Sequence, residues 1–419
     1  MKRQWLVTAL APVVGAVLAT GVLAPGAGAQ EKKLTLLTWN LPIYEEKFRG
    51  WIADFKELHP DFEVEWLDKK GTEWATFYQT QLIAGTAPDI IDVQGMLWVE
   101  YAANDGLVDL TPYLEKEPEV RDRFNQDGLK LWEYQGKQYM LPYYFSKTLL
   151  VYNKKLFEEA GLPGPPENFD QILEYAEKTA ATGEGRSGFI TLNFDWLYWA
   201  LFAMNGVELL NEDMTEAAFN TPEMLDTLTR LAEATKSGAI NKISWTGRWV
   251  EPNNAFATGD IGMYQGHGAA LFWIAGKADW VSEKTLGVTA WPGGYGVPNA
   301  HGFGISSSTK YPDEAFDFIK IATSDKWQKV MADTFTILTL NKNVDEALIA
   351  GLDDPLKAET LRLSLANMDK AVGNWVTPKD AKLKEAFWPE IQAALLGQKD
   401  PAEAIAAAEA KVNRVLRRR

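Results

Sequence analysis

The chain has 419 residues, 46% hydrophobic and 24% charged, with 42 Lys and Arg against 57 Asp and Glu for a formal net charge of −15. That is enough chain and apolar surface for two or three packed domains, and too much apolar content for a disordered one. Cysteine is absent, which excludes disulfides, thiolate metal sites and a cysteine nucleophile, and the acidic balance speaks against nucleic acid or an anionic membrane as partner.

Residues 1–29 begin with Lys2 and Arg3, continue through an uncharged apolar run and end in Ala27-Gly28-Ala29. The pattern predicts a secretory signal peptide cleaved before Gln30, in preference to a retained membrane span. Cleavage removes two cations and no carboxylate, taking the charge from −15 to −17. With no Cys to carry a lipid, the expected product is a soluble, freely diffusing protein of the periplasm or cell envelope.

Residues 34–39, LTLLTW, read as a buried strand, and Phe48, Trp51, Ile52 and Phe55 fall at i, i+3, i+4 and i+7 of an amphipathic helix. Phe62, Val64 and Trp66 alternate with Glu63 and Glu65 as a second strand; residues 74–84 read as helical, and APDIIDV at 87–93 as a third strand after a proline turn. Strands alternating with helices imply a parallel sheet with right-handed crossovers, in an α/β protein that binds ligands beyond the carboxyl ends of its strands.

Residues 136–157 are strand-like on both sides of Pro142, and the Gly/Pro-rich AGLPGPP then breaks the chain before a helix over 169–180. This is read as a crossing between domains. In DWLYWALF, residues 195–202, Asp195 is placed as a helix N-cap, Trp196 at the mouth of that helix and Trp199 on its core stripe. Ala315, Phe318, Ile319 and Ala322 mark a helix opened near Pro312, and a final helix starts at Asp400-Pro401 with Glu403 supplying the capping box. The basic cluster of Arg414 and Arg417 to Arg419 is read as favourable charge at that helix's C-terminus.

Reaction machinery is scarce. The three histidines, His59, His267 and His301, have no metal-ligand spacing, and there is no HExxH, no Walker A loop, no G-x-S-x-G and no G-x-G-x-x-G following a strand. Neither a metal nor a cofactor is expected. His267 and His301 sit among glycines on expected loops, where contact with a ligand and exposure to solvent are equally open. A pair of carboxylates acting on a glycosidic bond also stays open, because 57 acidic residues supply many chance pairs.

The informative excess is indole: 17 Trp. Besides Trp196 and Trp199, Trp39, Trp74, Trp98, Trp245, Trp249, Trp273, Trp291, Trp375 and Trp388 include several near strand ends and helix starts, the edges of a cleft. A pyranose ring offers C–H faces that pack flat on indole and a hydroxyl rim for polar side chains, so sugar fits this composition.

The ordered segments LTLLTWN, FKELHPDFEVEW, QLIAGTAPDIIDVQG, GLVDLTPYLE, GKQYMLPYYFSKTLLVYNKKLFEEAGLPGPPENFDQILEYA, AFATGDIGMYQGHGA, GFGISSSTKYPDEAFDFIKIATSD and GQKDPAEAIAAAEAKV resemble the bacterial extracellular solute-binding proteins of family 1. These are maltose-binding-protein-like sugar receptors of ABC importers. The resemblance implies a two-lobed periplasmic binding protein fold of type II, with residues 34–142 plus 304–340 in one lobe and 147–300 plus 345–419 in the other. Hinge strands join the lobes, and ligand lies between them.

For function it implies a monomeric, non-enzymatic carbohydrate receptor that delivers its ligand to a membrane permease. Matched positions place Trp39, Asn40, Tyr44, Glu45, Gln94, Tyr144 and Ser146 at the ligand. On the second lobe they place Asp195, Trp196, Gln265, His267 and Trp388 there. The stacking Trp of the 265–268 turn is missing, so Trp245 or Trp273 stands in for it. A glycerol phosphodiester or other small solute remains a rival ligand, with Arg248 as its probe, and a secreted glycoside hydrolase a more distant rival.

Overall fold

The computed structural model describes residues 32–39, 44–95 and 97–418; the expected signal peptide and Asn40 lie outside them. The described residues form ten strands: β1 Lys32–Trp39, β2 Phe62–Lys69, β3 Ile90–Gln94, β4 Glu133–Tyr134, β5 Lys137–Gln138, β6 Met140–Asn153, β7 Ser187–Ile190, β8 Ile261–His267, β9 Leu286–Thr289 and β10 Pro298–Ile305. All but the β4–β5 pair form one sheet of order β2-β1-β3-β10-β6-β8-β7, with β9 also paired to β6.

The N-terminal half follows its sequence pattern. β1 pairs in parallel with β2 and β3, and the Glu45–Leu58 helix between β1 and β2 buries Phe48, Trp51 and Phe55. The Phe169–Ala180, Pro312–Ala322 and Pro401–Arg417 helices form where periodicity and caps put them; Asn168 accepts from Gln171 N at 2.9 Å, and Asp400 accepts from Ala402 N at 2.9 Å. Among the described residues no helix is long and apolar enough to cross a membrane.

The chain builds two separate apolar cores. The first gathers buried residues from Leu34 to Phe145 and from Ala300 to Leu348, together with Leu361. The second gathers those from Leu150 to Val297 and from Leu383 to Val412. Leu348 and Leu361 stay with the first core although they follow the crossing expected at 340–345. Each core is one lobe.

Strand β6 passes from lobe to lobe, and the chain also changes core just before β10 and between Leu361 and Leu383. β6 is unbroken through Pro142, which sits opposite Gly302 beside an irregularity in the β10 register, where a missing N–H is tolerated. Residues Met140 to Lys147 of β6 pair with β10, and Thr148 to Asn153 pair with β8 or β9. At this change of partner Lys147 is buried, and desolvation pushes its ammonium down to about 8. Its ammonium donates to the Ala366 carbonyl at the end of the Pro355–Leu365 helix.

β7 lies directly under the Phe169–Ala180 helix. A Cβ on Gly188 would stand 1.9 Å from the Ala176 carbonyl oxygen, a backbone atom that cannot swing away. Gly188→Ala is therefore expected to cost about 1–3 kcal/mol or more through overpacking, read as a lower urea midpoint than wild type.

Candidate ligand-binding site

Strands β6 and β10 and the carboxyl ends of β1 and β8 surround a cleft of about 530 Å³ between the lobes. On the first-lobe side its wall comprises Trp39, Tyr44, Tyr143, Tyr144, Phe335 and Ile337, with Asn299 and His301 from β10. The second lobe contributes Phe194, Trp249, His267, Ala269, Phe272 and Trp273. No charged side chain occurs among these described lining residues.

The polar groups are held from behind. Asp92, fully buried on β3, accepts from the Trp39 backbone N–H at 3.3 Å and meets His301 Nδ1 at 3.0 Å. A carboxylate accepts, so Nδ1 of a neutral His301 carries the ring proton and Nε2 is left as the acceptor. Tyr143 has a buried hydroxyl without a hydrogen bond of good geometry; burial first, and the nearby Asp92 charge second, raise its pKa well above the ordinary tyrosine value. Burial likewise pushes Tyr44 up to about 12. Both phenols keep their protons at neutral pH and act as donors.

His267 ends β8 and stands at the N-cap of the Gly268–Ala275 helix. Its Nε2 lies 3.1 Å from Trp249 Nε1. Indole N–H only donates, so Nε2 accepts and the proton of the neutral ring sits on Nδ1, which is buried without a partner. Trp249 in turn meets Trp273 edge to face at 5.1 Å. Trp39 stacks on Trp74 at 5.8 Å, and Tyr44 packs edge-on against Phe335 at 4.4 Å, so these rings are braced by neighbours in their own lobe.

Of the residues expected at the ligand, the structure brings Trp39, Tyr44, Tyr144, His267 and Trp273 together in this cleft. Ser146 lies behind it, accepting from Gly268 N at 3.0 Å and so tying the crossing strand to the second-lobe helix. Glu45 forms an exposed ion pair with Arg49 instead. Gln94 closes β3 opposite His301, and its side chain lies outside the described set.

Several expectations need correction. Trp196 is sealed in the second core, its indole donating to Asp380 at 2.8 Å and its ring 4.7 Å from Trp375. Trp245 is fully buried and donates to Thr235 at 2.8 Å. Trp388 packs on Tyr198 at 4.3 Å, and Gln265 is fixed between Thr191 and the Leu197 carbonyl, both at 2.8 Å. The indole N–H groups of Trp196 and Trp245 and the amide of Gln265 already have partners, which marks these three as structural, while Trp388 is partly buried against Tyr198 and lies outside the cleft lining. Asp195 does not cap a helix: it adopts a φ of 46° and pairs with Lys384 at 3.0 Å. His267 and His301 lie on strands rather than loops, because the glycines beside them serve packing; a Cβ on Gly266 would strike the Tyr264 ring at 2.1 Å.

Trp249, Phe194, Tyr143, Phe272 and Asn299 were missed. For Trp249 a signal existed in SWTGRWVE, where the turn at Gly247 puts Trp245 inward and Trp249 on the cleft. Phe335 and Ile337 reach the wall through a left-handed residue, Thr336 at φ 54°, which no local pattern announces.

Two α/β lobes joined by chain crossings, with an aromatic cleft beside them, define a two-lobed solute-binding fold. The chain belongs to the bacterial extracellular solute-binding protein family, whose profile matches residues 39–329. The diacetylchitobiose-binding protein of Streptomyces coelicolor is 25% identical over 334 residues, 74% of this chain and 73% of its own. Among solved structures, an ABC substrate-binding protein from Listeria monocytogenes in complex with cycloalternan has a TM-score of 0.77 at 24% identity, covering 92% of this chain and 98% of that one. A solute-binding protein from Thermotoga lettingae bound with α-D-tagatose has a TM-score of 0.77 at 23% identity, covering 92% and 100%. At these identities the structural likeness establishes the fold.

Desolvation pushes His267 down to about 4 in the folded state, below the ordinary 6.5. Between those values the unfolded chain binds a proton that the folded one refuses, so stability falls as pH drops from about 6.5 towards 4. His267→Gln is expected to remove on the order of 2 kcal/mol of the stability difference between pH 7 and pH 5, measured from urea midpoints at the two pH values.

Proposed function

We propose that the protein is exported, captures a neutral saccharide in this cleft as a monomer, and delivers it to an ABC permease without chemical turnover. The observation that carries the reading is the cleft wall itself: Trp39, Trp249 and Trp273 lie among tyrosines and phenylalanines, with His301, Asn299 and phenolic hydroxyls as the polar groups. Indole faces suit the C–H faces of sugar rings, and fixed donors and acceptors suit their hydroxyls. The ligands named for the similar proteins, diacetylchitobiose, cycloalternan and tagatose, are all sugars.

Trp39, Tyr44, Tyr144, His267 and Trp273, joined by Trp249, Tyr143 and His301, are the proposed contacts. Nε2 of His301 would accept from a hydroxyl, and His267, whose Nδ1 is buried, would act by holding the Trp249 indole at the wall. Closure would turn on the stretches 145–150 and 297–300, where the chain changes core beside the cleft. A neutral ligand is favoured over a phosphodiester because Arg248 is exposed and packs over Phe194 at 5.5 Å rather than lining the cleft. A hydrolase reading lacks its carboxylate pair among the described lining residues.

A thermal-shift screen of mono- and oligosaccharides at millimolar concentration tests the reading. A ligand present at 100 times its Kd should stabilise the folded state by about 2.7 kcal/mol, and a flat response across the panel would count against saccharide capture. With a hit in hand, Trp249→Ala and Trp273→Ala should each weaken binding by roughly 2 kcal/mol, whereas Trp245→Phe should leave affinity unchanged in the same titration calorimetry.

A further inference from the structure

Ligand capture leaves one sequence motif unused, the basic cluster near the C-terminus. Lys411, Arg414 and Arg418 follow one another at i, i+3 and i+7 along the Pro401–Arg417 helix and its cap, a row of about 10 Å at 1.5 Å per residue. Together with Lys379 and Lys382, at the start of the Asp380–Leu395 helix, they line a groove of about 790 Å³. Its remaining wall includes Glu100 and Asn104, at the end of the Leu97–Ala103 helix, whose Trp98, Val99 and Tyr101 belong to the first core. The groove therefore touches both lobes, and it shares no residue with the aromatic cleft.

Five cationic side chains here face two carboxylates, Glu100 and Glu385, on a chain whose overall charge is −15. Helix-end electrostatics explains part of the cluster: Arg414 and Arg417 sit in a last turn, where the dipole favours cations. It does not explain Lys379 and Lys382, which lie at a helix N-terminus, where the dipole disfavours them. Lys379 is engaged by the Leu416 carbonyl at 2.6 Å, and Lys411 by Glu390. Lys382, Arg414 and Arg418 are exposed and make no ion pair among the described residues.

We propose that this groove docks an acidic polypeptide segment of a partner protein, lying across both lobes. Guanidinium and ammonium groups in a row match carboxylates along an extended chain. The recess between helices admits such a chain, whereas a flat anionic bilayer would reach only its rim. This surface is independent of what the cleft binds.

The test uses a fluorescein-labelled deca-glutamate peptide in anisotropy titrations at low ionic strength. The full chain should bind it, with affinity falling as salt rises. The triple variant Lys382→Glu, Arg414→Glu, Arg418→Glu should bind about tenfold or more weakly, with its melting temperature and its response to the saccharide panel unchanged. A control reversing Lys236, Lys284 and Lys310, exposed cations elsewhere, should retain binding, since net charge alone steers only weakly. Absence of peptide binding, or equal loss in the control, overturns the proposal. So does binding to phosphatidylglycerol vesicles that depends on the three cations while the peptide stays free, which would assign the groove to a membrane surface.

Discussion

The structure depends on one constraint: β6 belongs to two lobes at once. Its ladder pairs with β10 as far as Lys147 and with β8 from Thr148 onward, so each lobe completes its sheet with half of the same strand. Backbone hydrogen bonds must be satisfied on both sides of the switch, which fixes the strand locally while the side chains beyond it pack into different cores. The chain changes core within β6, again just before β10 and once more between Leu361 and Leu383, and the cleft opens beside the first two of these crossings.

Around this crossing the indoles divide by burial. Trp196, Trp245 and Trp291 donate their N–H groups to protein acceptors within the second lobe, and their rings are buried in its core. Trp39, Trp249 and Trp273 are only partly buried and keep a side towards the cleft. Trp249 spends its N–H on His267, and that single bond sets the tautomer of the histidine. A composition rich in Trp thus serves two ends, a lobe built on large rigid rings and a groove walled by the same rings.

Charge is distributed with the same economy of position. Among the described residues no charged side chain lines the cleft, and Asp92 is buried behind His301, so it orients a neighbour without presenting itself to the ligand. Lys384 lies between Asp195 and Asp380 at 3.0 and 2.8 Å, an ion network that holds the tight backbone at Asp195 in place of a helix cap. The excess acidity is left to the outer surface, against which the groove at the C-terminal helix stands out.

The sequence by itself determined whatever depends on neighbours along the chain. The alternation of Phe62, Val64 and Trp66, the helical spacing of Phe48, Trp51 and Phe55, and the Asp400 cap act over a few residues, and the ordered segments carried the two-lobed fold. It also supplied the chemistry of the cleft as a class, rings with hydroxyl partners. Only the tertiary structure decided which rings face it. Trp245 and Trp249 are four residues apart with similar surroundings in sequence, yet one meets Thr235 in the core and the other His267 at the groove. That choice is made by contacts between segments distant in the chain, and burial is a property of the packed whole that no local pattern encodes.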